Sequence, residues 1–218
     1  AVVNEEERNQ SLEKGQELSK QIVEEGCVLL KNENKTLPLS LDNDKKVNVF
    51  GYGSVEWCTH GEGSGRVRDE TGDESQKVDF IKALNRYGIS CNTELQDMYK
   101  KFKAPEEYID KINSNIIDYV TNPDFNDKNY YSDSLLENAK NYSSTAIVVI
   151  TRHGSEGTDA SKVRQKKYKY NEDTTRTYLD LSIEEEDMIK YVTNNFEKVV
   201  ILVNSTNIVN LSFLKTIN

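Results

Sequence analysis

An apolar run that leads straight into a glycine-framed loop constrains the fold of this chain more than any other feature. Residues Thr145–Ile150 read TAIVVI, a short β-branched run that predicts a fully buried strand. Arg152–Asp159, reading RHGSEGTD, follows it, and Gly154 and Gly157 allow a sharp turn at the carboxyl end of the strand. Open α/β sheets place their ligands at that edge. We therefore expect Glu156 to stand on a loop, where it is either a general acid/base or an ordinary solvated carboxylate.

Strand patterns alternate with helical patterns along the rest of the chain. Further short strands are predicted at Lys46–Phe50, Ile89–Cys91 and Lys198–Val203. Helices are predicted at Glu5–Leu30, Ser75–Tyr87, Thr93–Phe102, Pro105–Val120, Ser132–Asn141, Ser182–Phe196 and Val209–Ile217. Alternation of this kind implies parallel βαβ units with right-handed crossovers. The predicted fold is therefore α/β, a three-layer α/β/α sandwich of flavodoxin-like type with a mostly parallel sheet.

The length of 218 residues suits a single α/β domain, which we assign to residues 1–218. Within it, residues 1–40 form an N-terminal helix and lead-in that becomes more buried toward its end. Residues 93–142 form a helical insertion, and residues 151–180 form the loop that holds Glu156. Three good strands and one brief one make a small sheet. We therefore expect the last strand and helix to be missing, the chain to be a fragment, and the open sheet edge to favour self-association.

The charge balance excludes two classes of partner. Acidic residues outnumber basic residues by 37 to 28, a formal net charge of −9, which disfavours nucleic acid and anionic membrane surfaces. We interpret the basic cluster Lys162–Lys169 as solvated surface. No run approaches the roughly 18 apolar residues of a membrane span. The N-terminal AVVNEEERNQ has no signal-peptide core, which favours the cytoplasm over secretion but leaves a removed signal peptide open.

Motifs for nucleotide binding and for serine hydrolases are absent from the sequence. The glycine-rich turn Gly51–Glu56, reading GYGSVE, lacks the third glycine of the dinucleotide fingerprint, and Glu56 stands where close helix packing needs a small residue. There is no GxxxxGK[ST] loop for a phosphate, and no GxSxG elbow for an esterase. Dinucleotide, P-loop and esterase functions are therefore disfavoured.

The cysteines and histidines form no recognisable metal site in the sequence. Cys27, Cys58 and Cys91 are too widely spaced for a CxxC pair or a disulfide framework, so we interpret them as free thiols, with Cys27 packed on a helix face. His60 and His153 are the only histidines, which leaves no HExxH zinc motif. We expect neither a metal nor an organic cofactor.

Taken in order, several segments resemble the α/β-sandwich domain of the family 3 glycoside hydrolases, the β-glucosidase and β-xylosidase group. The matching pieces are EGCVLLKNE at 25–33, LPL at 37–39, VNVFG at 47–51, GEGSG at 61–65, AIVVITR at 146–152 leading to SEGTD at 155–159, LSIEEE at 181–186 and VVILVNS at 199–205. The resemblance covers nearly the whole chain. Its ordered spacing is far more specific than any single piece.

The resemblance implies a catalytic role for Glu156. In that family a (β/α)₈ barrel holds the aspartate nucleophile, and a loop of the sandwich domain supplies the acid/base glutamate across the domain interface. Glu156 falls on the glutamate of the family's SGEGxD-like pattern, although Gly154-Ser155 replaces Ser-Gly before it. A (β/α)₈ barrel takes about 250 residues. We therefore expect the nucleophile outside this chain, in a parent protein where this domain precedes the barrel, and the isolated chain to be inactive.

Five further residues receive roles from the resemblance. Glu62, Ser64 and Gly65 of the GEGSG loop are candidate substrate neighbours, with a glycine-rich turn at the domain interface as the alternative. Arg152 and Asp159 are expected to support the loop rather than to touch sugar. The implied function is part of a retaining exo-β-glycosidase that hydrolyses terminal β-linked sugars. The alternative is a non-catalytic carbohydrate-binding or regulatory module with the same fold.

Overall fold

The computed structural model describes residues 4–58, 78–102, 122–152, 154 and 175–217. The chain divides into two compact units, residues 1–37 and 38–218, and each is described by itself.

The first unit is built on one long helix, α1, at Glu5–Gly26. Asn4 caps it by accepting a hydrogen bond from the Glu6 N–H at 3.0 Å, and three glutamates in the first turn complement the helix dipole. No residue of α1 is buried, because the described part of this unit contains no second element against which its apolar side chains could pack. The predicted burial toward the end of this helix was therefore wrong.

The end of α1 also differs from the prediction. The helix stops at Gly26, a weak helix former, rather than at Leu30, and Cys27 adopts an extended backbone after its N–H closes the last turn on the Val23 carbonyl. Cys27 is consequently exposed and does not pack on a helix face.

The second unit is built on a four-stranded parallel sheet. Its strands are β1 at Lys46–Phe50, β2 at Ser90–Cys91, β3 at Thr145–Arg152 and β4 at Lys198–Ser205. Their spatial order is β2-β1-β3-β4, and β3 pairs with β4 at all eight positions. This is the start of the flavodoxin-like strand order. The predicted fold class is confirmed.

Helices cover both faces of the sheet. They are α2 at Phe80–Arg86, α3 at Thr93–Lys101, α4 at Asp133–Tyr142 and α5 at Ile183–Asn195. On one face, Phe50, Val148 and Ile150 pack in a core with side chains of α3, α4 and α5. On the other face, Val49 and Val149 pack in a second core, against which the partly buried apolar side chains of α2 lie. Alternate residues of each strand thus serve opposite layers.

The remaining predicted helices have different outcomes. Helices α3 and α4, within the segment 93–142 that was predicted as a helical insertion, contribute side chains to the core on one face of the sheet. The predicted helix Pro105–Val120 lies outside the described residues. In place of a helix at Val209–Ile217 there is only a 3₁₀ turn at Ser212–Lys215. There Asn210 and Thr216 side chains bond to the local backbone, which competes with a regular helix.

Among the described helices, none combines the length and the apolar character that crossing a bilayer requires.

Candidate functional site

The order in which strands are added to the sheet reverses between β1 and β3, and this switch point marks the candidate site. The connection from β1 to β2 runs through α2 on one face, whereas the later connections run through α3, α4 and α5 on the other face. In open α/β sheets, ligands bind outside the carboxyl ends of the strands at such a switch point. The relevant residues therefore follow Phe50 of β1 and Arg152 of β3.

The turn after β1 uses its own backbone donors internally. Gly51 has a φ of +100°, and an added Cβ would overlap the Val149 carbonyl oxygen. The Gly51 N–H donates to the Tyr99 hydroxyl and the Tyr52 N–H donates to the Asn122 side-chain oxygen, both at 2.7 Å. Phosphate-binding turns direct such N–H groups at the ligand. Here the two groups are bound by side chains of the same domain.

A buried polar cluster supports this turn. The Tyr99 hydroxyl lies 2.7 Å from the Tyr131 hydroxyl and 3.6 Å from the Met188 sulfur. Burial raises the pKa of Tyr99, and its hydrogen bonds with Tyr131 and the Gly51 backbone offset only part of that rise. The Tyr99 phenol stays neutral across the physiological range. Its hydroxyl holds the Gly51 N–H at the end of β1.

Arg152, the last residue of β3, is fully buried and forms a clamp. Its guanidinium makes a bidentate ion pair with Glu185, with Nη–Oε distances of 2.7 and 2.6 Å. The same group donates to the carbonyls of Tyr178 and Asp180, each at 2.9 Å. The clamp therefore joins the end of β3 to residues 178–180, which follow the segment 155–174 in the sequence.

Glu185 belongs at the same time to the start of α5. Its Oε2 accepts the Ser182 N–H at 2.8 Å, and its own N–H donates to the Ser182 hydroxyl at 3.2 Å. These reciprocal bonds form a capping box, and they confirm the predicted N-cap at Ser182. Glu185 was not predicted as a site residue from the sequence. Its signal was the Ser-x-x-Glu spacing at 182–185 together with an arginine at the end of an apolar strand.

The polar turn after β4 contacts the chain leaving both β1 and β3. The Asn204 side chain donates to the Cys58 carbonyl at 3.0 Å, and the Thr206 N–H donates to the Arg152 carbonyl at 3.2 Å. A Cβ on Gly154 would lie 2.8 Å from the Thr206 hydroxyl. Cys58 and Gly154 are the last described residues before 59–77 and 155–174. The structure therefore brings together the starting points of the two loops that the sequence analysis selected.

Of the predicted site residues, only Arg152 falls within the described part of the chain. Glu62, Ser64, Gly65, Glu156 and Asp159 lie outside the described residues, as do His60 and His153. Among residues that are described, no three His, Cys, Asp or Glu side chains are grouped as a metal site would require.

Comparison with known proteins identifies the family. The family model for the glycosyl hydrolase family 3 C-terminal domain matches residues 27–217. The chain belongs to glycoside hydrolase family 3.

Two β-glucosidases match this chain over nearly its whole length. Beta-glucosidase A of Butyrivibrio fibrisolvens is 28% identical over 96% of the chain, and the beta-glucosidase of Ruminococcus albus is 30% identical over 94% of it. The chain spans 25% and 19% of the lengths of these two relatives. Beta-glucosidase 3B from Thermotoga neapolitana, solved in complex with glucose, superposes with a TM-score of 0.66 at 25% identity, over 94% of this chain and 26% of that one.

Proposed function

We propose that this family 3 domain supplies the acid/base loop of a retaining exo-β-glycosidase that removes terminal β-linked sugars. The observation that supports this most is the anchoring of Gly154 at the carboxyl edge of the sheet, against the turn after β4. Glu156 follows Gly154 by two residues in the sequence, and we propose that it acts at this edge. The names of the curated relatives, both β-glucosidases, point to the same substrate class.

The proposed reaction is a double displacement. An aspartate on a (β/α)₈ barrel of the parent protein attacks the anomeric carbon while Glu156 donates its proton to the leaving oxygen, and the glycosidic bond breaks. Glu156, now ionised, then takes a proton from water, which displaces the aspartate and releases the sugar with retained configuration. Retaining enzymes hold the two carboxyl groups about 5 to 5.5 Å apart. This chemistry requires neither a metal nor an organic cofactor.

Other residues support the reaction without reacting. Arg152 holds the loop at its origin, and Asp159 is proposed to support it further along. Glu62, Ser64 and Gly65 are proposed substrate neighbours, because their segment begins after Cys58, which is bonded to the turn after β4. The aryl or oligosaccharide glycoside would then lie between these two loops and the barrel.

Activity assays on the isolated chain and on the full-length parent test this proposal. With aryl β-glucoside and β-xyloside, we expect turnover from the full-length enzyme only, because double displacement needs both carboxyl groups. Glu156→Gln should depress that turnover, whereas Glu137→Gln, at an exposed ion pair on α4, should not. If the pure 218-residue chain turned over these substrates and Glu156→Gln abolished that turnover, the proposal that the two catalytic carboxyl groups lie on separate domains would be overturned. A fully active full-length Glu156→Gln enzyme would instead favour the non-catalytic carbohydrate-binding module.

A further inference from the structure

Joining the end of β3 to α5 through the buried Arg152–Glu185 ion pair has a cost in desolvation free energy. Side chains of Arg152 and Glu185 are 0% and 2% exposed, so both charges have been removed from water. Burying an ion pair costs several kcal/mol per ion, and well-packed apolar residues often serve stability equally well. Stability alone therefore does not explain this pair.

The guanidinium of Arg152 has no donor left for a ligand. An arginine has five N–H donors. In Arg152, Nε donates to the Tyr178 carbonyl, Nη1 to the Thr151 carbonyl and Glu185, and Nη2 to the Asp180 carbonyl and Glu185. All five bonds stay within the domain, so the group fixes backbone positions and does not touch sugar.

Glu185 sets the orientation of this guanidinium. Its two carboxylate oxygens match the planar fork of arginine, a geometry that neither a glutamine nor a lysine partner reproduces. Its own position is held by the capping box with Ser182 at the rigid start of α5. Glu185 of α5 therefore contacts Arg152 directly. Gly154 follows Arg152 by two residues along the chain.

We propose that Glu185 is a positioning residue for the acid/base, acting through Arg152 to place the chain that leads into Glu156. This inference rests on the proposed function. In this proposal, the charge and the bidentate geometry of the Glu185 carboxylate determine how accurately the Glu156 carboxyl is placed for proton transfer to the leaving oxygen. A misplacement of about 1 Å at a reacting group costs on the order of 100-fold in rate, so a small rotation of the clamp has a large effect.

Variants of the full-length parent enzyme test the proposal. For Glu185→Gln we expect kcat/KM to fall about 10- to 100-fold on glycosides with poor leaving groups, with little change on activated aryl glycosides and in KM. Glu186→Gln is the matched control, because Glu186 is the next residue of α5 and pairs with Arg176 at 2.7 Å on the surface. It should leave the leaving-group dependence unchanged.

A second variant separates positioning from folding. The double change Arg152→Met with Glu185→Leu removes both charges together, so it should lower the unfolding midpoint less than Arg152→Met alone, which leaves the Glu185 carboxylate buried without its arginine. We expect this folded variant to retain the leaving-group defect. A wild-type leaving-group profile in the double variant, or a uniform loss for all substrates in Glu185→Gln, would overturn the positioning role.

The 218-residue chain offers a readout that does not depend on activity. The amide of Thr206, which donates to the Arg152 carbonyl, should exchange its hydrogen at least tenfold faster in Glu185→Gln, and unchanged exchange would contradict the clamp. If Glu156→Ala in the parent shows no leaving-group dependence, the proposed function fails. If Glu156→Ala shows the leaving-group dependence and the Glu185 variants do not, only the positioning role fails.

Discussion

Strands β3 and β4 are paired at every position, yet their surroundings differ completely. All eight residues of β3 are buried, whereas all eight residues of β4 are partly exposed. Their sequences, TAIVVITR and KVVILVNS, are similarly rich in β-branched residues. The difference arises because β3 lies between β1 and β4, while β3 is the only described strand that pairs with β4. A β-branched apolar run predicts that a strand forms, whereas the strands that pair with it determine how deeply that strand is buried.

The two strands also end differently, and the ends serve different purposes. β3 ends in the buried Arg152, whose charge is balanced by Glu185. β4 ends in the polar turn Asn204–Asn207, whose side chains and backbone contact the start of both loops. Strand β3 is thus fixed from within the core at its last residue, and the turn after β4 contacts Arg152 and approaches Gly154, the last described residues before the segment 155–174.

The largest expected effect comes from removing the charge at the end of β3. Arg152→Met leaves the buried Glu185 carboxylate without its arginine, and breaking a buried pair in this way costs about 3–5 kcal/mol of unfolding free energy. Ser205→Ala, at the position paired with Arg152 in β4, should cost only about 1 kcal/mol through its local hydrogen bonds. Urea denaturation of the chain measures both. Equal losses at the two positions would contradict the contrast between the strands.

Matched isoleucines test the burial difference directly. Ile150→Ala in β3 empties a site that is 0% exposed and should cost about 2–5 kcal/mol. Ile201 in β4 is only partly buried, so Ile201→Ala should cost about 1 kcal/mol. If the β4 variant were as damaging as the β3 variant in denaturation experiments, β4 would have to be covered in solution.

Asp44 ties the first residues of the two strands together and makes stability depend on pH. It accepts a hydrogen bond from Thr145 of β3 at 2.9 Å and pairs with Lys198 of β4 at 2.9 Å. Burial alone would raise the pKa of Asp44, but its bonds to Lys198, Ser40 and Thr145 outweigh burial and lower it. Asp44→Asn should therefore cost about 1.5–3 kcal/mol at neutral pH.

The sign of this pH dependence follows from the lowered pKa. The stabilisation by the Asp44 carboxylate is fully present above the unfolded-state pKa of about 3.9 and disappears as the pH falls through the lower folded-state value. Unfolding free energies of wild type and Asp44→Asn should thus differ most above about pH 5 and converge in acid. A difference that grows on acidification would refute this assignment.

The smallest effect on stability is expected at the contact between the two strand ends. Gly154→Ala places a methyl group against the side chains of Thr206 and Asn207, which can rotate away, so the cost should be about 1 kcal/mol. Gly15→Ala, in α1 with nothing within 4 Å of the added group, should instead stabilise the helix by up to about 1 kcal/mol. Thermal unfolding distinguishes the two signs, and a stabilising Gly154→Ala would contradict the close approach.

Local pattern was sufficient to predict most of the fold, because β-branched runs and capping residues act over a few positions. The strands at Lys46–Phe50 and Thr145–Ile150 and the N-cap at Ser182 were predicted in this way. The exposure of β4 was not predictable, since its apolar run looks like that of β3. The pairing of Arg152 with Glu185 joins residues 33 positions apart, a distance over which the sequence has no periodic signal.

The site was less accessible to such reasoning than the fold. Glu62, Ser64, Gly65, Glu156 and Asp159 were selected through resemblance to a family, and their roles stay predictions. From local pattern alone, a glutamate between glycines is as consistent with a solvated loop as with catalysis.

The acid/base role of Glu156 is tested most directly by a leaving-group series in the full-length parent. If Glu156 protonates the leaving oxygen, Glu156→Ala should lower kcat/KM by about 10²–10⁴ for glycosides of poor leaving groups and spare activated aryl glycosides at that step. Added azide should restore turnover on the activated substrates and yield a glycosyl azide of retained configuration. A uniform loss across all leaving groups with no azide product would show that another carboxyl group protonates the leaving oxygen.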